Sequence, residues 1–267
     1  MLLELIRQAK RRRTLFALLF VLVIPLVIVA ALEFNQGSGD GSGGQTNFVD
    51  IASRSGLNAA FFVLVATSQF LLVVLVALFA GDSIASEASW GSLRYLLTRP
   101  IPRMRLLRVK LSVAVLYGVV AAVLIPVVAL IAGTVAFGWK PVTTPFGGGF
   151  SAGSGLIRLA EVDLYVIAML GCVVGLAFLF STMTDAPLAA VGGATVLIVV
   201  SQVLDQVTAL GAVRTFLPTH YWFSWTGLLQ SPPSTGEVTV GLLTAVPWTA
   251  APLLLAFWNF RRKDILS

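Results

Sequence analysis

Few residues in this 267-residue chain could do chemistry. It has one cysteine, Cys172, and one histidine, His220. Zinc sites are built from several Cys or His ligands, and a metalloprotease helix needs two histidines on one face, so neither residue has the company that metal chemistry demands. Cys172 sits in an apolar run and, being alone, excludes an intrachain disulfide. His220 beside Tyr221 reads as a hydrogen-bonded residue, with a ligand or proton site as the sharper alternative. No Ser/His/Asp set or carboxylate pair suggests a protease. Gln69 is the only strongly polar side chain deep in the second apolar run, and Asp163, Asp185 and Asp205 fall near the ends of others. Carboxylates are costly at membrane depth and mark coupled carriers when present, so their scarcity argues against a self-powered carrier. No GxxxxGK[ST] occurs. The chain is therefore expected to bind no cofactor and to be no enzyme.

The densest collection of polar, charged and aromatic residues runs from Gly81 to Lys110. Asp82 can cap a helix start. Ile84, Ala88, Leu93 and Leu97 give that helix an apolar side, and Pro100 and Pro102 stop it. The pattern predicts an amphipathic helix over residues 82–98, either docking a partner or merely connecting two membrane spans.

The elements that position these residues follow from composition. Hydrophobic residues make up 57% of the chain and charged residues 11%, with a mean hydropathy of +0.92. Soluble domains carry roughly a quarter charged residues, so a cytosolic enzyme is excluded. A helix needs roughly 20 apolar residues to cross the hydrocarbon core. Six stretches qualify: Thr14 to Glu33, Leu57 to Ala80, Leu111 to Phe137, Val162 to Phe180, Ala186 to Thr208 and Val238 to Phe260. They do not alternate, so helices rather than barrel strands are predicted, giving an all-α integral membrane protein of one domain with six transmembrane helices. Lys10, Arg11, Arg12 and Arg13 precede a full-length first span, which reads as an anchor rather than a removable signal.

Six spans bring both termini to one side. Fourteen of the eighteen Lys and Arg residues then share that side, against five acids, while the other side holds four against seven. The positive-inside rule puts the termini in the cytoplasm. The net charge of +6 is thus explained by topology, and no nucleic-acid partner is expected. Residues 1–13 read as a cytoplasmic amphipathic helix.

Between spans one and two, Asn35 to Asn47 is mostly Gly, Ser and polar, and a second Gly-rich outer stretch runs from Thr143 to Gly155. Both read as flexible outer loops. Gly171 and Gly175 form a small-xxx-small face suited to close helix packing. From Gly211 to Pro233 the chain is too short to cross twice and rich in aromatics, including Phe216, Tyr221, Trp222, Phe223 and Trp225. One or two short interfacial or re-entrant outer helices are predicted there, serving as an anchor or an outer gate.

In the inner segment an acid is followed by Gly-Ser-Leu, two leucines, a proline, a basic residue and a lysine: Glu87, Gly91, Ser92, Leu93, Leu96, Leu97, Pro100, Arg103 and Lys110. This resembles the inner-loop pattern of ABC-2 type transporter permeases, although the family often has threonine at the position of Ser92. The six-span layout, the basic amino-terminal helix, the outer helices and the Arg261-Arg262-Lys263-Asp264 run are similar to that family too.

The resemblance implies a permease that pairs with a second copy or a paralogue and with two cytosolic ABC ATPase subunits, which would hold the ATP and Mg. It makes residues 82–98 a coupling helix, with Ile84, Glu87, Ala88, Trp90, Gly91, Ser92, Leu93, Arg94 and Leu97 contacting the ATPase. Spans two and five would flank the path, with Phe62, Gln69, Phe70, Val196 and Val200 as its candidate lining. Such a protein is expected in a cell membrane, the bacterial plasma membrane, among its lipids. The apolar spans suit export of an amphipathic or lipidic small molecule, drug or peptide. The rival class is a six-span channel or structural subunit uncoupled from an ATPase; a channel should show a polar or charged ring, and none is recognisable.

Overall fold

Apolar runs of this length must satisfy their backbone polar groups internally, and they do so as helices. The structure, a computed structural model, describes residues 2–37, 48–89, 103–144 and 148–262. In chain order the helices are α1 (Leu2–Ala9), α2 (Arg12–Gly37), α3 (Phe48–Ala52), α4 (Gly56–Ser68), α5 (Leu71–Ser89) and α6 (Arg103–Phe137). A hairpin of β1 (Val142–Thr144) and β2 (Gly148–Phe150) leads to α7 (Ala152–Met183) and α8 (Pro187–Asp205). Two 3-10 helices, Thr208–Phe216 and Ser224–Leu229, precede α9 (Gly236–Arg262).

Five helices, α2, α6, α7, α8 and α9, are long and apolar enough to cross a membrane. The second apolar run differs from the straight span its sequence suggests. It is split into α4 and α5, which meet at a 54° bend over Gln69 and Phe70. Such a break frees backbone groups that lipid cannot satisfy. Here Gln202 Nε2 of α8 donates to the Gln69 carbonyl at 3.1 Å, and the Ser68 hydroxyl donates to the Val65 carbonyl at 3.1 Å.

The centre of the assembly is α7, two-thirds of whose apolar stretch is buried, against 22% for α8 and for α9. It packs on α9, α5 and α8. Gly171 and Gly175 let α9 approach, because a Cβ on either would lie 2.8 Å from Thr249. At the other side, Gly56 of α4 seats against the Thr134 backbone of α6. Ser55 caps α4 by accepting from Asn58 N–H at 3.1 Å.

Three expectations about elements need correction. The stretch from Thr143 to Gly155 is not a plain loop: β1 and β2 pair antiparallel with Val142 opposite Phe150. Helix α7 begins at Ala152, ten residues before the expected span, helped by an Arg158–Glu161 pair at 2.7 Å. Asp163 is consequently three turns into a helix and buried, not at a water-accessible span end. Finally, Asp82 caps nothing. Residues 82–89 continue α5 without interruption, and residues 90–102 lie outside the described residues.

Candidate functional site

The inner segment's acids are placed by helix periodicity. Asp82, Ser83, Ser86 and Glu87 fall on one side of the last turns of α5, since positions i, i+1, i+4 and i+5 cluster on a helix surface. That polar side meets basic residues from three other directions. Lys110 of α6, 3% exposed at its side chain, places Nζ 2.6 Å from Glu87 Oε1 and 3.1 Å from Glu4 Oε1. It also donates to the Ser83 carbonyl at 3.0 Å. Arg7 of α1 lies 3.2 Å from Glu87. One helical turn away, Asp82 receives Arg11 and Arg13, each at 2.8 Å, and Arg11 also donates to the Ser86 hydroxyl at 3.0 Å. Tyr117 of α6 donates to the Leu5 carbonyl at 3.0 Å and closes the ring of contacts onto α1.

A buried charge persists only when paired, and this cluster pairs both acids within the chain. The consequence for the expected ATPase contacts is direct. Glu87 and Ile84 are 0% and 4% exposed, so in this structure both face the protein's own interior rather than an approaching partner. The Ile84 and Ala85 amides donate to Ser181 of α7, each at 3.1 Å. Trp90, Gly91, Ser92, Leu93, Arg94 and Leu97 lie outside the described residues, as does the side chain of Ala88. Residues 90–102 lie between α5 and α6 in the chain, and Glu87 with Lys110 ties those two helices together.

The opposite end holds the candidate path residues, and it separates them. Phe62 lines an apolar chamber of about 410 Å³ with Phe61, Val65, Ala66, Trp225 and Leu229. Asn58 stands at the chamber wall, donating to the Ile51 carbonyl at 2.7 Å and to the Thr143 hydroxyl at 2.8 Å, which fixes α4 to the hairpin. Gln69 instead lines a recess of about 60 Å³ with Gln202, Asp205, Gln206, Thr219, His220, Trp222 and Phe223. Phe70, Val196 and Val200 lie on the outside of the bundle, 63%, 60% and 48% exposed. The five residues therefore do not line one passage within this chain.

Residues 19–266 match a family model described as a protein of unknown function, DUF2705. The chain belongs to that family. No curated protein matches it. The DUF2705 match includes Asp82, Glu87, Lys110, Asn58, Phe62, Gln69 and Asp205, whereas Glu4, Arg7, Arg11 and Arg13 precede it.

Sequence reasoning missed the internal pairing of Glu87 and the recess around Asp205. One signal for the first was available: a polar stripe ending an apolar helix, with basic residues before α2 and at the start of α6, is what an intrachain lock requires. For the recess there was less to read. Asp205, Arg214 and His220 lie on α8, on a 3-10 helix and in the turn after it, and only folding brings Asp205 Oδ1 to 2.5 Å from His220 Nδ1 and 3.5 Å from Arg214 Nε.

Proposed function

We propose that this chain is the transmembrane permease subunit of an ATP-driven exporter, oriented with both termini in the cytoplasm. Two cytosolic ATPase subunits supply the power, and a second permease copy or paralogue completes the assembly. The cargo is an amphipathic or lipidic small molecule, drug or peptide. The observation that carries the reading is the Glu87–Lys110 contact at the root of the inner connection. A partner that pushes on residues 90–102 pushes on α5 and α6 together, and α5 leads to the bend at Gln69. Charge supports the orientation, since the lock joins α1, α5 and α6 at the basic end of the bundle.

The coupling role of Ile84 and Glu87 is accordingly one of transmission, holding the connection's base, while contact with the ATPase falls to the segment beyond Ser89. The test is tagged purification from native membranes with mass-spectrometric identification of partners, followed by ATP hydrolysis measured with and without them. The expected result is a stoichiometric ATPase whose hydrolysis depends on Leu93. A stable complex without any ATPase would instead favour the channel or structural-subunit reading.

A further inference from the structure

The chamber and the recess at the outer end share one wall. Phe223 lines both. They also share a helix face: Phe62 and Ala66 line the chamber and Gln69 the recess, at positions i, i+4 and i+7 of α4 and its terminus. An apolar space of about 410 Å³ lies within the range of small-molecule sites, roughly 300–1,000 Å³. Its neighbour supplies the few polar groups that would orient a ligand. The charges there are already matched, because Asp205 meets both His220 and Arg214. Two indole donors are not matched. Trp222 lines the recess and Trp225 the chamber; they are 2% and 5% exposed, and neither Nε1–H has a hydrogen-bond partner among the described residues. A buried donor without an acceptor is unfavourable until one arrives.

We propose that chamber and recess form one site for a single-chain amphiphile with an uncharged, oxygen-bearing head. The apolar chain lies among Phe61, Phe62 and Val65, and hydroxyl or carbonyl oxygens of the head and its linkage accept from Trp222 Nε1 and Trp225 Nε1. An anionic head would meet the Asp205 carboxylate, and a cationic one would compete with Arg214 for it, so neither is favoured. Assigning this ligand as cargo rests on the permease reading, whereas the binding itself does not.

The experiment uses the full-length protein in lipid nanodiscs and three photoactivatable probes with the same diazirine-bearing chain: a monoacylglycerol, a fatty acid and an alkyl trimethylammonium. Crosslinks are mapped by peptide mass spectrometry. The monoacylglycerol is expected to label peptides containing Phe61, Phe62 or Trp225 saturably, and about tenfold better than either ionic probe. Ala66→Trp, at an exposed position that tolerates bulk, should fill the chamber and abolish this labelling. Trp222→Phe keeps the ring but removes its donor, and should weaken labelling by the monoacylglycerol by roughly two- to tenfold, the value of one hydrogen bond, without changing the ionic probes. Labelling spread over lipid-facing residues such as Leu19 and Leu243 and indifferent to Ala66→Trp overturns the site. Equal labelling by all three probes overturns the head assignment. Because binding is read without any ATPase, its failure leaves the co-purification result standing, and an absent ATPase leaves saturable labelling standing.

Discussion

The two ends of the bundle are held together by different forces. At the basic end, α1, α5 and α6 meet through Glu4, Arg7, Glu87 and Lys110, and Asp82 ties α5 to Arg11 and Arg13 where α2 starts, with contacts that span 2.6 to 3.8 Å. At the aromatic end, the same span bends by 54° and opens onto a chamber and a recess. In lipid, helices gain little from apolar contact alone, because acyl chains are as apolar as leucine. Polar ties and close packing therefore decide which regions are stiff. The basic end has the ties, so displacement applied there moves several helices as one. The aromatic end has voids, and among the described residues one hydrogen bond, from Gln202, reaches its break from another helix, so it can yield.

The largest effect expected from this contrast follows Glu87→Ala. Removing the acid leaves the Lys110 ammonium, 3% exposed, with Glu4 and the Ser83 carbonyl as its partners among the described residues. Breaking one partner of a buried pair costs about 3–5 kcal/mol, whereas replacing both by apolar groups is often neutral. The chain's thermal midpoint in nanodiscs should fall steeply for Glu87→Ala and recover in Glu87→Leu with Lys110→Met. An unchanged midpoint in the single variant would show that the acid faces outward, as a partner-contact residue would.

That reversal shows what a sequence can and cannot carry. Five of the apolar runs became long helices because hydropathy and length act locally. The small-xxx-small face at Gly171 and Gly175 became a real helix contact for the same reason. The bend falls at Thr67-Ser68-Gln69, a polar interruption of the span, but its angle depends on packing, and the stabilising donor, Gln202, is more than 130 residues away. The start of α7 was obscured by Arg158 and Glu161, which look polar one by one and pair one turn apart. Glu87 could be seen to matter, but its direction depends on Lys110 and Arg7, which arrive from other helices.

A second variant addresses the yielding end. Gln202→Leu removes the donor to the Gln69 carbonyl, leaving a backbone acceptor unmet at the bend. The expected loss is about 1 kcal/mol, concentrated locally. Amide hydrogen exchange at Phe70 to Val74 should quicken, while exchange at Ser83 to Glu87 stays as it was. Equal change at both segments would mean that the span moves as one rod and that the bend is no hinge.

The smallest effect belongs to the outer side of α8. Its two sides differ sharply: Ala194 and Ile198 are fully buried, while Val196 and Val200 are 60% and 48% exposed. In a membrane the exposed valines exchange lipid contacts for lipid contacts when shortened, so neither a transfer term nor a protein cavity arises. The double variant Val196→Ala, Val200→Ala should therefore alter the unfolding free energy of the isolated chain in nanodiscs by no more than about 0.5 kcal/mol. The same measurement on the purified assembly sharpens the comparison. If the proposed second subunit covers this side of α8, the valines there are packed against protein, and their truncation leaves voids that lipid does not fill. The assembly should then lose stability where the isolated chain does not. A loss of the same size in the isolated chain would place these valines in the bundle's own packing and remove α8 as a surface shared with another subunit.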